Sequence, residues 1–315
     1  MSTASPTAAD PGGQPRPRRI ALNLMAIEHL AGGSFAGVLE AARIADRLGV
    51  HRVVLPDHVV MSAQAHRERD GFPYPLSASW LEPLTALAAV AGVTERVRLG
   101  TNVLIAPLRP AAFLAKQLAT LDAISGGRVE VALGVGWQQA EYDAVGAAFA
   151  GRTSALVELV GACRALWGGA PAAAHPALGG IDDLHAQPLP PQGDRLPLSF
   201  GVGLGPRNVA RIVELGVGWA PAPMPVDDFA AGVARLRDAC VEAGRDPASL
   251  AVTGAVTLLP QEVRAAEAGV PHPLAEVEAL WAAGADTVVV HPLAHCEELA
   301  DLPGFLEPLL AAGGA

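Results

Sequence analysis

The stretch from residue 99 to residue 137, LGTNVLIAPLRPAAFLAKQLATLDAISGGRVEVALGVGW, constrains the fold more than any other part of the chain. An apolar run suited to a strand, a proline-bounded turn, an amphipathic helix, a tight Ser125-Gly126-Gly127 turn and a second apolar run follow one another without slack. Strands joined through a helix of this length are parallel neighbours. The second run opens into Gly134-Val135-Gly136, and small residues just past a strand end let backbone or a flat ligand come close. In α/β folds that is where ligands sit.

The same alternation runs along the whole chain. Strands are expected at 20–25, 50–55, 98–105, 129–133, 198–201, 217–220, 250–258 and 287–291, and helices at 35–48, 83–91, 110–124, 153–167, 206–215, 226–243, 273–283 and 297–312. Eight such units close a barrel. The predicted fold class is therefore α/β, a (β/α)8 TIM barrel over residues 19–315, a single domain with loop insertions. Residues 1–18, rich in Pro, Ser, Thr, Ala and Gly, are expected to form a disordered N-terminal tail. A doubly wound sheet with a dinucleotide site is the rival architecture. Its glycine fingerprint opens the chain, whereas Gly201, Gly203 and Gly205 come late and read GVGLG, not GxGxxG.

Bulk properties remove several function classes. The formal net charge of −10 argues against nucleic acid or an anionic membrane as partner. No run of about 18 apolar residues is free of charge and of Pro or Gly, so nothing reads as a membrane span. Cys163, Cys240 and Cys296 form no CxxC and read as reduced residues of a cytoplasmic protein. With aromatics at only 4%, the core must be built of Ala, Val and Leu.

The polar or unusual residues at expected strand ends make a short list. Asp57 and His58 follow a β-branched run; the His suits acid–base work near neutral pH, and the plain alternative is a surface turn capped by Asp57. Asn102 sits inside a buried-looking strand, where its amide needs a backbone group, a water or a ligand. Gly134 and Gly136 are candidate close-approach glycines or simple turn residues, and Trp137, Trp219 and His291 are candidate site residues or ordinary core. Glu141 follows Trp137 by one helical turn. No HxH pair lies on an early strand, and no GxSxG or Cys–His arrangement appears, so no metal site and no nucleophilic hydrolase is predicted.

Taken together, LPDHVV (55–60), the ungapped run 80–146, RTSALVELVGACRALW (152–167) and LPLSFGVGLGPRNVARIVELGVGWAP (196–221) resemble the luciferase-like monooxygenase superfamily, and most closely its coenzyme F420-dependent oxidoreductase branch. The resemblance spans about residues 20–260. It implies a tricyclic ring across the C-terminal mouth of the barrel and a non-prolyl cis peptide at Asn102–Val103 behind it. It implies that Asp57 and His58 lie beside the ring, with His58 moving a proton and Asp57 orienting it or bonding the ring's pyrimidine edge. Trp137 and Glu141 match a motif near the ring, and Gly201 and Gly203 match glycines near the cofactor's polar tail. For the tail's phosphate, Arg207 at a helix start is preferred over Arg109 and Lys116. Val202, between the glycines, departs from the family pattern and is expected to crowd that phosphate. The implied activity is hydride transfer between F420 and a small organic substrate. The alternatives are an FMN-dependent monooxygenase and a redox-inactive barrel. Apolar helix surfaces permit the homodimer common in the family.

Overall fold

The structure, a computed structural model, describes residues 16–169, 171–258 and 269–314. Nine strands lie among them: β1 (Arg19–Asn23), β2 (Arg52–Leu55), β3 (Arg98–Thr101), β4 (Leu104–Ile105), β5 (Val131–Gly134), β6 (Leu198–Gly201), β7 (Gly218–Trp219), β8 (Thr253–Ala255) and β9 (Thr287–Val290). They pair in parallel as β3-β2-β1-β9-β8 and β4-β5-β6-β7. Isolated parallel bridges Leu99–Val129 and Trp219–Val252 join the two sheets, and β3 and β4 are consecutive pieces of one run. The path is the ring of eight strand positions that the sequence pattern predicts.

Helices α1 (Ala36–Leu48), α3 (Pro83–Ala91), α4 (Ala111–Ser125), α6 (Arg152–Trp167), α7 (Pro206–Glu214), α8 (Val226–Glu242), α9 (Leu274–Ala282) and α10 (Leu302–Gly313) follow the expected spacing. Two short helices, α2 (Ala63–Glu68) and α5 (Gln139–Val145), belong to the loops after β2 and β5. The single strand expected at 98–105 is broken at the Asn102–Val103 peptide, which is cis. The last helix starts at Leu302, not at 297, because a 3-10 turn at Leu299–Asp301 precedes it. Within the expected tail 1–18, Arg16 is part of the barrel: its guanidinium lies 3.1 Å from Asp286 Oδ1. Residues 1–15, and 259–268 of the expected loop 258–272, lie outside the described residues. No helix among the described residues is long and apolar enough to cross a membrane.

Strand alternation divides the residues into two sets. Ile20, Leu22, Val53, Leu55, Leu99, Val131, Leu133, Phe200, Val288 and Val290 join the large core cluster shared with the helices. Their neighbours Ala21, Val54, Ala255 and Val289 form a separate small cluster inside the ring. Small side chains suit that position because a ring of eight strands leaves room only for packed layers of residues.

Below this layer the ring is filled by charge. Arg52 on β2 is buried, pairs with Glu130, and donates from Nη2 to Thr253 Oγ1 on β8 at 3.0 Å. Glu130 also accepts from Arg98 Nε at 2.8 Å, with His51 Nε2 at 3.5 Å. Burial pushes the Glu130 carboxyl up, but Arg52, His51 and Arg98 together hold it well below the usual carboxylate range. Burial holds His51 below its ordinary 6.5, against the pull of Glu130.

Both shifts act in the same direction on stability. The unfolded chain takes up the His51 proton first as pH falls through 6.5, and the Glu130 proton first below 4.5. Stability is therefore expected to fall continuously on acidification below 6.5, with the Glu130 part lost last. Glu130→Gln strands the Arg52 charge and is expected to remove about 3 kcal/mol at neutral pH and to flatten the acid limb below about pH 4.5. Urea unfolding as a function of pH measures both; an unchanged midpoint refutes the charged plug.

Candidate active site

Because alternate residues face the ring interior, the C-terminal end of each strand delivers its next residue to the barrel mouth. A cavity of about 460 Å³ opens there. Asn23 at the end of β1, Asp57 and His58 after β2, Asn102 and Val103 between β3 and β4, Gly136 and Trp137 after β5, Gly201 on β6, Pro221–Pro223 after β7, Thr257 after β8 and His291 after β9 all line it. The loop from α2 to α3 closes one side with Arg69, Phe72, Tyr74 and Trp80.

Asp57 and His58 turn to different partners. The Asp57 carboxylate accepts from the Ile105 N–H at 2.9 Å and from both terminal nitrogens of Arg109, at 2.6 and 3.2 Å. Burial pushes this carboxyl above its ordinary range, while Arg109 and the Ile105 amide pull against the rise. Asp57 thus fastens the β2 loop to β4 and does not orient His58, which corrects the sequence expectation. The physical reason is that consecutive residues leaving a strand point opposite ways.

The partner of His58 is Glu141. Its Oε2 lies 3.0 Å from His58 Nδ1. The fully buried Glu141 carboxylate also accepts from the Val59 N–H at 2.6 Å and from Gln138 Nε2 at 3.2 Å. Gln138 donates to the Val60 carbonyl at 2.7 Å and accepts from Ser62 N–H at 3.0 Å. An acceptor-only carboxylate at Nδ1 favours the tautomer protonated there and leaves Nε2 as the acceptor nitrogen. Glu141 is absent from the cavity lining, so it stands behind His58 and not against a ligand. Around the imidazole, Trp80, Trp137 and Phe72 stand edge-on, with ring centroids at 4.6, 5.8 and 6.1 Å.

Val103 forms the inner floor. A Cβ on Gly134 would meet Val103 Cγ2 at 2.4 Å, and one on Gly201 would meet Cγ1 at 2.5 Å. These two glycines are register partners on β5 and β6. Gly201 reaches the cavity, whereas Gly134 lies beneath Val103 and serves its packing. Asn102 is half-buried, lines the cavity, and makes no side-chain hydrogen bond among the described residues. Asn23 is committed locally, accepting from the Met25 N–H at 2.8 Å. Trp219 is core, stacked on Phe229 with its Nε1 donating to the Val202 carbonyl.

A second, more open pocket lies where the N-termini of α6 and α7 converge, lined by Arg152, Ser154, Gly205, Arg207, Asn208 and Arg211. Arg211 is tied to Asn208 and Ser154, and Arg152 donates to the Gly136 carbonyl at the wall of the first cavity. Exposed Arg207 makes no hydrogen bond or ion pair among the described residues. Arg109 and Lys116, the other candidates for an anionic tail, are occupied: Arg109 by Asp57 and Glu82, Lys116 by the Gln187 carbonyl. Val202 is buried in the core and does not line this pocket, so the expected crowding is absent. Gly203 is exposed with open space around it and lines neither pocket.

The sequence reading missed Phe72, Tyr74, Trp80, Arg69 and Gln138. Aromatic clustering within nine residues, in a chain so poor in aromatics, is the one signal that marks the first three. Burial pushes the Cys163 and Cys296 thiols up to about 12, so neither is poised as a nucleophile. No group of three or more His, Cys, Asp or Glu among the described residues is disposed to hold a metal ion.

A parallel eight-stranded barrel with a histidine–glutamate pair at its mouth and an arginine-lined pocket at two helix starts defines a class of ligand-binding α/β barrels. The family model for luciferase-like monooxygenases matches residues 20–305. The chain belongs to the luciferase-like monooxygenase family. It is 32% identical over 236 residues to the uncharacterized protein Rv0953c of Mycobacterium tuberculosis, covering 73% of this chain and 83% of that one. It is 30% identical over 174 residues to the pyrimidine monooxygenase RutA of Escherichia coli, covering 54% of this chain and 48% of the relative. Among solved structures, an F420-dependent secondary alcohol dehydrogenase superposes with a TM-score of 0.70 at 18% identity, over 94% of this chain and 99% of the other. The monooxygenase RslO1 from Streptomyces bottropensis gives 0.67 at 20% identity, over 94% and 100%.

The Val103 contact makes a testable claim. Gly134→Ala is expected to destabilise by about 1–3 kcal/mol through overpacking. Adding Val103→Ala removes the clash, so the double variant should lose less than the sum of the singles, as read from thermal unfolding. Strict additivity rules out the contact.

Proposed function

We propose that this protein is an oxidoreductase that uses coenzyme F420 to move a hydride between the cofactor and a small organic substrate, with His58 as acid–base. The observation that carries the reading is the His58–Glu141 pair, 3.0 Å apart, at the wall of a cavity whose remaining surface is largely apolar. A flat ring suits that cavity: Val103 gives an apolar floor, Trp137 a wall, and the free Asn102 amide a partner for a polar ring edge. The second pocket suits a phosphate, since helix N-termini offer amide donors and Arg207 is uncommitted. The fold likeness to an F420-dependent alcohol dehydrogenase agrees with this reading.

When bound, the deazaflavin supplies a carbon centre that gives or takes a hydride. In the oxidative direction His58 Nε2 would take the proton of a substrate hydroxyl that becomes a carbonyl. In the reductive direction the same nitrogen returns the proton. Glu141 holds Nδ1–H and stabilises the imidazolium in either case. Trp80, Phe72 and Trp137 keep water from the imidazole. Asp57 holds the loop that carries His58.

His58→Ala is expected to leave cofactor binding within about twofold and to cut turnover by about 100-fold or more. Glu141→Gln presents an amide N–H to Nδ1, turns the imidazole to the other tautomer, and is expected to lower turnover by a similar factor with little change in KM. Steady-state assays on a panel of alcohols and ketones with F420 read both; unchanged turnover in His58→Ala removes it from the mechanism.

A second reading, an FMN-dependent monooxygenase, is favoured by the identity with a pyrimidine monooxygenase. Titration with F420 and with FMN, followed by fluorescence and oxygen uptake, separates the two. Arg207→Ala is expected to weaken F420, whose tail carries more negative charge, by about tenfold and FMN by less. Equal weakening, or none, refutes the assignment of that pocket to the cofactor's tail.

A further inference from the structure

Among the described residues, Arg69 is a cavity-lining cation that neither the fold nor the proposed chemistry absorbs. It follows α2, and its guanidinium carbon lies 4.5 Å from the centroid of the Trp137 ring. Both residues line the inner cavity and also a cleft on the outer side, bounded by Ser62, Gln64 and Gln139. The pair therefore forms the partition between the two spaces. Stacking uses the face of the guanidinium and leaves its N–H edge for a planar oxyanion. That edge makes no hydrogen bond or ion pair among the described residues.

No neighbouring carboxylate pairs with it: Asp57 is held by Arg109, and Glu68 and Asp143, which line the outer cleft beside it, accept from Gln64 and Gln139. Arg69 and Asp70 both line the cavity and are both exposed, and desolvation alone lowers Arg69 from its ordinary pKa, with no carboxylate drawing it back. Arg69 therefore keeps its side-chain donors unpaired at the cavity mouth, where a planar oxyanion can take them. Next to it stand Phe72, Tyr74, Trp80 and Trp137, with Phe72 and Trp80 stacked at 6.2 Å and Phe72 and Trp137 tilted at 5.4 Å. Such walls favour a flat, unsaturated or aromatic body.

We propose that Arg69 is a specificity-determining residue that docks the carboxylate of a planar, apolar organic acid at the mouth of the cavity, with the aromatic wall holding the rest of the molecule. This rests on the reading of the cavity as a substrate site but not on the identity of the cofactor. The acid group meets the N–H edge of Arg69, and the apolar body points inward past Trp137 toward His58.

The test uses the full chain without added cofactor and two probes of equal shape, benzoate and benzamide, titrated by calorimetry or ligand-observed NMR. Benzoate is expected to bind about tenfold more tightly than benzamide, as a charge-assisted pair requires. Arg69→Gln should erase that preference, and Arg69→Lys, which keeps charge but loses the planar fork, should retain part of it. Arg207→Ala should leave it intact, which separates this site from the arginine pocket at α6 and α7. Equal binding of the two probes, no binding of either, or a preference that survives Arg69→Gln and disappears in Arg207→Ala overturns the proposal. Because no cofactor is present, a protein that ignores both F420 and FMN leaves this result standing on its own.

Discussion

The mouth of the barrel depends on one buried carboxylate. Glu141 accepts from the Val59 amide, from His58 Nδ1 and from Gln138, and so ties the loop after β2 to the helix after β5. A fully buried carboxylate persists only when its acceptor sites are used, because an unpaired charge in that setting is strongly unfavourable. Here the same bonds that satisfy it also set the imidazole's orientation and proton. Stability and chemistry share a single group, and the loop carrying His58 cannot shift without leaving Glu141 under-satisfied.

That arrangement is possible because the barrel interior is graded along its axis. Arg52, Glu130 and Thr253 fill one end with paired charge, Ala21, Val54, Ala255 and Val289 fill the middle, and the next residues along the same strand faces open into a cavity. Asn23, Asn102, Gly201 and His291 are two positions on from the inward residues of their strands, so period two places them at the mouth. Val103 then lies across two facing glycines, and this is what keeps the floor apolar at the level where the polar ends converge.

The strand–helix alternation was legible in the sequence because apolar runs and turn residues are local signals, and the barrel follows from repeating them. The cis Asn102–Val103 peptide came from family resemblance, whereas the place of His58, Trp137 and Gly201 at the mouth followed from their positions at strand ends as well as from matching motifs; the geometry has the cis bond and all three at the cavity. The Asp57–His58 pairing failed for a physical reason: adjacency in sequence places side chains on opposite sides of an extended backbone, and the partner of each is then set by tertiary contacts. Glu141 was placed near the ring because it shares a family motif with Trp137, one helical turn before it. Spacing fixes the face of a helix but not what lies against that face. Phe72, Tyr74 and Trp80 sit in a proline-rich loop with no period, so nothing local says that it folds back over the mouth.

Charge placement completes the picture. The chain is acidic as a whole, yet its arginines near the mouth fall into two kinds. Arg109, Arg152 and Arg211 are bound to protein acceptors and set the shape of the site. The side chains of Arg207 and Arg69 make no hydrogen bond or ion pair among the described residues and stand at the outer pocket and the cavity mouth respectively. An acidic exterior repels anions in general, so a cation with unused donors acts as a local exception whose reach is limited to about a Debye length. Two such exceptions beside a largely apolar chamber are what the proposed anionic cofactor tail and the proposed acid substrate would each require: unpaired donors at the rim and an apolar interior between them.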